Sequence, residues 1–423
     1  MKNTQKQIAI IGTGISGLGA AYLLNPHHRI TVYEKDDYIG GHSRTVEVKT
    51  DDGVVAVDTG FIVFNYRNYP LLTGLFAHLN VPVSKSDMSF GVSINNGWME
   101  YGTQHLSHMF AQKRNLMRPQ FWRMISDIMR FNAKAADYVQ SDPAMTIGEC
   151  LDKLGMKAWF REYYLLAMGG AIWSTPLRDM MQFPACTFIR FFENHGLLSV
   201  NNQPQWHTVT GGSREYVKRL IAPFQDNIKT NCSVQKVIRE AEGVMIIDSQ
   251  GNQAIYDEVV FACHADQALA MIENPSEEEK SVLGAFSYQP NRAVLHSDLS
   301  FMPKRKKAWS SWVYLSEQKH DENPQVSLSY WMNNLQPLAT RTPLIVTLNP
   351  AREPDKSLVF NDHWFEHPLF DEAAIRSQKK IPTIQGKNRL WFCGAYQRYG
   401  FHEDGIGSAV EMARAMEIEK PWK

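Results

Sequence analysis

Three glycines near the start of the chain have a spacing suited to phosphate binding. Gly12, Gly14 and Gly17 form G-x-G-x-x-G between an apolar run, residues 7–11 (QIAII), and a stretch, residues 18–24, that reads as a helix. Glycine at the first position allows a tight turn. At the second it lets the backbone approach a pyrophosphate, and at the third it lets helix and strand pack closely. The helix N-terminus then presents unpaired N–H groups and a positive dipole end. Glu34 follows about 20 residues on, ending a second apolar strand, where a carboxylate accepts ribose hydroxyls. With their neighbours Ile15, Ser16 and Lys35, these residues form a candidate dinucleotide site. The glycine pattern alone is weak. Its place between strand and helix, with the acid after it, makes it specific.

Other candidates lie further along. Gly40 and Gly41 form a turn just after the glutamate, and Arg44 stands close behind them. Asp58-Thr59-Gly60-Phe61 closes a strand; Asp58 is also a natural turn former. Near the C-terminus, Trp391-Phe392-Cys393-Gly394-Ala395 ends a strand, and residues 400–409 (GFHEDGIGSA) open the last helix. The polar run His402-Glu403-Asp404 precedes that helix. His402 is a candidate acid–base group, because imidazole titrates near neutral pH. Asp404 is a candidate both for binding and for simple capping of the helix. His296, on a strand, is a weaker acid–base candidate.

The glutamate followed by the glycine doublet resembles the signature of the amine oxidase, phytoene desaturase and protoporphyrinogen oxidase superfamily of FAD enzymes. That resemblance implies that Gly40 and Gly41 pass the flavin diphosphate and that a nearby arginine neutralises it. Here His42 follows the doublet directly, so the role falls to Arg44, whose alternative is an ordinary surface arginine. The resemblance also places Thr59, Gly60 and Phe61 at the flavin edge. It sets the backbone of Val234 against the adenine, although an ordinary strand valine reads the same. It aims the last helix, through Gly405, Ile406 and Ser408, at the flavin pyrimidine ring, where a helix dipole stabilises reduced flavin. At the strand end Gly394 matches, but Ala395 stands where the superfamily carries an acid. Phe401 falls where an aromatic frames the flavin face, with core filler as its alternative. No cysteine occurs in residues 340–390, which implies non-covalent flavin.

Five further segments narrow the resemblance to a bacterial branch of amine-oxidase-like flavoproteins predicted to bind NAD or FAD. They are residues 301–303 (FMP), 308–312 (AWSSW), 329–333 (SYWMN), 346–350 (VTLNP) and 400–405 (GFHEDG). The likeness covers nearly the whole chain. Members of that branch accompany enzymes that methylate or cyclopropanate unsaturated phospholipid acyl chains, which suggests a lipid acyl substrate by association alone. The expected function is an oxidoreductase taking a hydride from an apolar chain. A flavin amine oxidase, a flavin-dependent double-bond isomerase and a protein holding FAD structurally are the alternatives.

These residues need a scaffold. Strand signals at 7–11, 29–33, 258–262 and 390–393 and helix signals at 18–24, 213–221 and 405–416 predict an α/β fold. They describe a Rossmann-like FAD-binding domain of the glutathione-reductase type, interleaved with a mixed α+β substrate domain. The FAD-binding domain is expected from 1–75, 205–272 and 385–423, and the substrate domain from 76–204 and 273–384. Helices are predicted over 119–138 and 146–164, a hairpin over 232–248, and several short strands between 288 and 348. Trp309, Trp312, Tyr314, Tyr330 and Trp331 are expected on those strands, as walls of an apolar tunnel or as sheet core.

Composition sets the limits. The 44 basic and 44 acidic residues give a formal net charge of zero, which offers nucleic acid no general attraction. Five scattered cysteines without a C-x-x-C pair argue against disulfides, against zinc and for a reducing compartment. The apolar N-terminal run superficially resembles a signal peptide, but its glycine spacing marks it as mature structure, so a cytoplasmic protein is expected. Residues 113–134 interleave Lys113, Arg114, Arg118, Arg123, Arg130 and Lys134 with apolar side chains around one acid, Asp127. That stretch reads either as a membrane-surface helix, a peripheral contact for a lipid substrate, or as a core helix with a solvated basic face. Oligomeric state is left open.

Overall fold

The computed structural model describes residues 5–142, 145–165, 167–169, 181–182, 184–194, 204–316 and 326–423. A five-stranded parallel sheet organises the nucleotide-binding part. Its strands run in the order Ile228–Lys229, Arg29–Tyr33, Gln7–Ile11, Glu258–Phe261 and Leu390–Phe392. The three central strands are short apolar runs because both faces of a parallel sheet are covered. Helix Ile15–Leu24 packs on one face against the last helix, His402–Ala415. The turn before the first helix is also close-packed: a Cβ on Gly17 would lie 1.9 Å from the Gly12 carbonyl oxygen.

The second sheet has seven strands. Its order is Val359–Leu369, Ser287–His296, Ile345–Leu348, Val326–Trp331, Trp312–Ser316, Phe90–Ile94 and Met99–Gly102. Every pairing is antiparallel except that of Trp312–Ser316 with Phe90–Ile94. Strands alternate their side chains between faces, so register decides which residues share a surface. Trp312, Tyr314, Leu328, Tyr330, Val346 and Leu348 point to one face, with Phe90 and Val92. That inner face meets helices Pro119–Ser141, Ile147–Lys153 and Ala185–Asn194 at one end. At the other end it meets the hairpin Thr45–Thr50/Gly53–Asp58.

Several local expectations change. The first and last helices begin at Ile15 and His402, three residues earlier than their apolar periodicity suggests. The stretch 146–164 is not one helix. Thr146 caps helix Ile147–Lys153, Gly155 then takes a left-handed φ of 66°, and helical structure resumes only at Ala158. Helix Pro70–His78 and the 11-residue strand Val359–Leu369 were not foreseen.

Candidate cofactor site and active site

The phosphate turn has the form its glycines imply. Gly14 is the N-cap of helix Ile15–Leu24, and no side chain caps that helix. A Cβ added to Gly14 would meet nothing within 4 Å, so the space before the helix is open. Gly41, in left-handed conformation at φ 56°, backs onto Gly14, and its own Cβ would lie 3.0 Å from the Gly14 Cα. Glu34 ends the neighbouring strand. Its carboxylate accepts the backbone N–H groups of Thr13 and Asp36, each at 3.0 Å, and the Thr13 hydroxyl. The Cys232 N–H donates to the Glu34 carbonyl at 2.8 Å, which brings Val234 beside the acid. An open cradle at a bare helix N-terminus, with a carboxylate anchored at its side, fits the diphosphate and ribose of a dinucleotide.

The cleft continues along the strand Val359–Leu369. Asn361, His363 and Phe365 share the inner face of the seven-stranded sheet, because they pair with Leu295, Ala293 and Asn291. Each meets the glycine-doublet segment. The Arg44 guanidinium donates to the Asn361 side-chain oxygen at 2.8 Å and to the Thr59 hydroxyl at 3.4 Å. It is therefore a bridge between the two parts of the molecule. His42 lies 5.0 Å from the Phe365 ring and 5.3 Å from the His367 ring. Burial, reinforced by neighbouring histidines, lowers its pKa well below the ordinary value, so His42 is a neutral aromatic wall. His264 stacks on Tyr288 at 4.1 Å and pairs with Glu366 at 3.3 Å. Burial lowers the His264 pKa, and nearby Lys35 adds to that in the same direction. None of the residues from Asn361 to His367 carried a recognisable sequence signal. Their alternation along the strand was the one available clue.

The polar run before the last helix divides into three structural roles. His402 stacks on Phe61 at 3.8 Å and shares a 2.9 Å hydrogen bond with the Ser43 hydroxyl. Burial pushes its pKa down to about 3, so at neutral pH it is an uncharged ring. That is well below the near-neutral titration expected from the sequence. Glu403 accepts the Leu71 and Leu72 N–H groups, both at 2.9 Å, and so caps helix Pro70–His78. Asp404 turns back onto its own loop, accepting the Phe401 N–H at 2.9 Å and the Tyr399 N–H at 3.2 Å. We expect Glu403→Ala to cost about 1–2 kcal/mol, as loss of a capping carboxylate does. Thermal unfolding of flavin-loaded protein checks this, and an unchanged midpoint refutes it.

Behind that run the two helix N-termini converge. A Cβ on Gly405 would lie 2.7 Å from Ile15 Cγ2 and 3.0 Å from the Ser16 hydroxyl. The Gly394 N–H donates to the Ser408 hydroxyl at 2.8 Å, and that hydroxyl donates to the Gly405 carbonyl at 2.7 Å. Ser408 therefore holds the strand end to the helix. Ala395 lies beside Gly405, 3.9 Å from where a Cβ there would stand. Gly405 and Ile406 are fully buried in the same contact, where Ile406 meets Gly19 of the first helix. Gly60 is compressed against the His42 carbonyl oxygen, and the Phe61 N–H donates to that oxygen at 2.8 Å. Phe401 packs on the nucleotide-domain core.

The aromatic group of the substrate sheet is split by register. Trp312 and Tyr330, ring centroids 4.8 Å apart, lie with Tyr314 on the inner face. Trp309 and Trp331 pack together at 5.3 Å on the opposite face with Phe301, Met302 and Val313. These two are core on the far side, not tunnel wall. His296 is also on that far side, bonded to Thr347 at 2.8 Å, and burial pushes its pKa down to about 4. Among the described residues no cluster of metal-ligating side chains occurs, and no helix is long and apolar enough to cross a membrane.

Comparison with known proteins places this cradle. A model of flavin-containing amine oxidoreductases matches residues 15–332. An L-amino-acid oxidase from Siganus canaliculatus is 23% identical over 290 residues, covering 63% of this chain and 50% of that protein. The flavin-containing amine oxidase A of Sus scrofa is 24% identical over 259 residues, covering 56% and 46%. The chain thus spans about half the length of the curated relatives it matches. A fatty acid isomerase from P. acnes has a similar fold, with TM-score 0.69 at 13% identity over 99% of this chain and 100% of that one. Cyclohexylamine oxidase from Brevibacterium oxydans gives 0.67 at 13% identity over 98% and 100%. The chain belongs to the flavin-containing amine oxidoreductase family, a family of flavin-dependent oxidoreductases with FAD as cofactor.

Proposed function

We propose that this protein is an FAD-dependent oxidoreductase that takes a hydride from an apolar substrate, a lipid acyl chain. The observation that carries the reading is the inner face of the seven-stranded sheet. From Phe365 beside the cleft to Trp312, Tyr330, Leu348 and Leu328, its inward positions hold no lysine, arginine, aspartate or glutamate among the described residues. A carboxylate or ammonium substrate would need a charged partner in such a site, whereas an acyl chain needs only apolar area.

Bound FAD supplies the hydride acceptor. The protein's part is to hold and exclude. The open turn at Gly14 and the first helix would hold the diphosphate, Glu34 the ribose, and the backbone near Val234 the adenine. The N-terminus of the last helix would stabilise the reduced flavin ring. Trp312 and Tyr330 orient an apolar chain and keep water from it. His402 and His42, neutral at physiological pH, shape the cleft.

Two other readings have specific support. The curated relatives are oxidases of amino acids and amines. The fatty acid isomerase shares the fold and acts on a substrate of the proposed class. An anaerobic titration of the flavin-loaded protein with monounsaturated phospholipid separates them. Loss of the oxidised-flavin bands supports acyl oxidation. A moved double bond at unchanged product mass establishes isomerisation. Bleaching by amines alone, with peroxide released in air, establishes amine oxidation and overturns the proposal.

A further inference from the structure

Away from the cofactor cleft, the substrate domain carries a face that combines exposed apolar side chains with clustered cations. Met117 is 87% exposed, Met129 63%, and Leu116 and Trp122 49% each. They lie on one short stretch of the chain. Residues 122 and 129 lie two turns apart on helix Pro119–Ser141, and the Trp122 indole N–H donates to the Leu116 carbonyl at 2.9 Å. Folded chains rarely leave such side chains together in water without a use for them.

Immediately beside this patch lies a shallow cavity of about 580 Å³, lined by Lys113, Arg114, Arg305, Lys306 and Lys307. A carboxylate beneath it, Glu100, is fully buried. It is occupied by the Lys304 and Arg305 N–H groups and by the Arg305 guanidinium at 2.8 Å. Asp127, the only acid of residues 113–134, is also buried and holds Arg123 and Arg130. The chain as a whole has zero formal charge, so this concentration of cations is a local asymmetry.

We propose that this face docks on the surface of an anionic phospholipid bilayer. Met117, Leu116, Trp122 and Met129 enter the headgroup boundary, and the basic cavity takes lipid phosphates. Charge complementarity selects the partner. A nucleic acid would reward the cations but not the exposed apolar side chains, and an apolar protein groove would leave the cations unpaired. The proposal does not depend on which substrate the active site takes.

The test is sedimentation of flavin-loaded protein with phosphatidylcholine vesicles, with and without phosphatidylglycerol. Binding is expected only to the anionic vesicles and should weaken as salt rises. Lys306→Gln/Lys307→Gln should weaken it about 25-fold, about fivefold per cation. Met117→Asp should weaken it further, whereas Lys236→Gln, on a strand of the nucleotide domain, should leave it unchanged. Bromine-labelled acyl chains should quench tryptophan emission less in Trp122→Phe than in the parent protein. The visible flavin spectrum of each variant reports that it is folded. Equal binding to zwitterionic vesicles, no binding to either kind, insensitivity to these substitutions, or equally tight binding to short duplex DNA would each overturn the proposal.

Discussion

Replacing Gly14 by valine is expected to give a folded protein that no longer holds FAD. Gly14 has φ −65° and ψ 176°, extended backbone that any residue adopts. Its added Cβ would meet nothing within 4 Å, so the chain itself has no reason to rearrange. The branched side chain would instead fill the space before the first helix, where the diphosphate must approach the N–H groups. A loss on the order of hundredfold in FAD affinity, about 2.7 kcal/mol, is expected. The ratio of flavin to protein absorbance after purification, with a far-ultraviolet circular dichroism spectrum, measures both halves. A variant as yellow as the parent would remove the diphosphate from this turn. Gly17→Val is the contrasting case. With its Cβ 1.9 Å from the Gly12 carbonyl oxygen, it should fail to fold at all.

Asp58→Ala is expected to destabilise the folded protein strongly, by about 3–5 kcal/mol. The carboxylate is fully buried and accepts from Thr45 at 2.6 Å, from the Ser213 hydroxyl at 2.8 Å, and from the Gln336 amide at 2.9 Å. It also takes the Ser213 N–H, at 2.9 and 3.0 Å to its two oxygens. These donors belong to three separate elements, from both parts of the molecule. Removing the acceptor strands all of them where water does not reach. Burial outweighs those hydrogen bonds and pushes the Asp58 pKa up to about 6. A free aspartate titrates near about 4, so the folded state binds this proton more tightly than the unfolded state does. The proton-linked part of its contribution is therefore complete below about pH 4 and is lost as pH rises through about 6, while the hydrogen bonds it accepts remain. Urea unfolding across that range should show the slope in the parent and not in Asp58→Asn. A midpoint for Asp58→Ala equal to that of the parent would refute the hub role.

Much of the candidate cofactor site was legible because its determinants are local. Glycine spacing, a following apolar run and an acid at the end of the next strand all lie within a few tens of residues. The same holds for the buried strands at 258–261 and 390–392, whose continuous apolar character matches a sheet covered on both faces. Helix starts were misread by three residues, since a first turn need not share the apolar periodicity of the rest.

What the sequence determined by itself was therefore the dinucleotide fold, its flavin family and the glycine turn that opens the first helix. Tertiary structure decided what the remaining polar and aromatic residues do. His402, Glu403 and Asp404 are adjacent in the chain, yet they serve Ser43, the helix at Leu71 and their own loop, respectively. Two of these partners are more than 300 residues distant, beyond any local rule. Trp312 faces the inner side of its sheet and Trp331 the outer, a difference set by strand parity and by pairing register. His42, His367 and Phe365 become one wall only because an edge strand from late in the chain lies against the glycine doublet. Side-chain type and spacing carry local backbone geometry. The meeting of distant surfaces depends on how whole sheets pack, and no short stretch of residues encodes that.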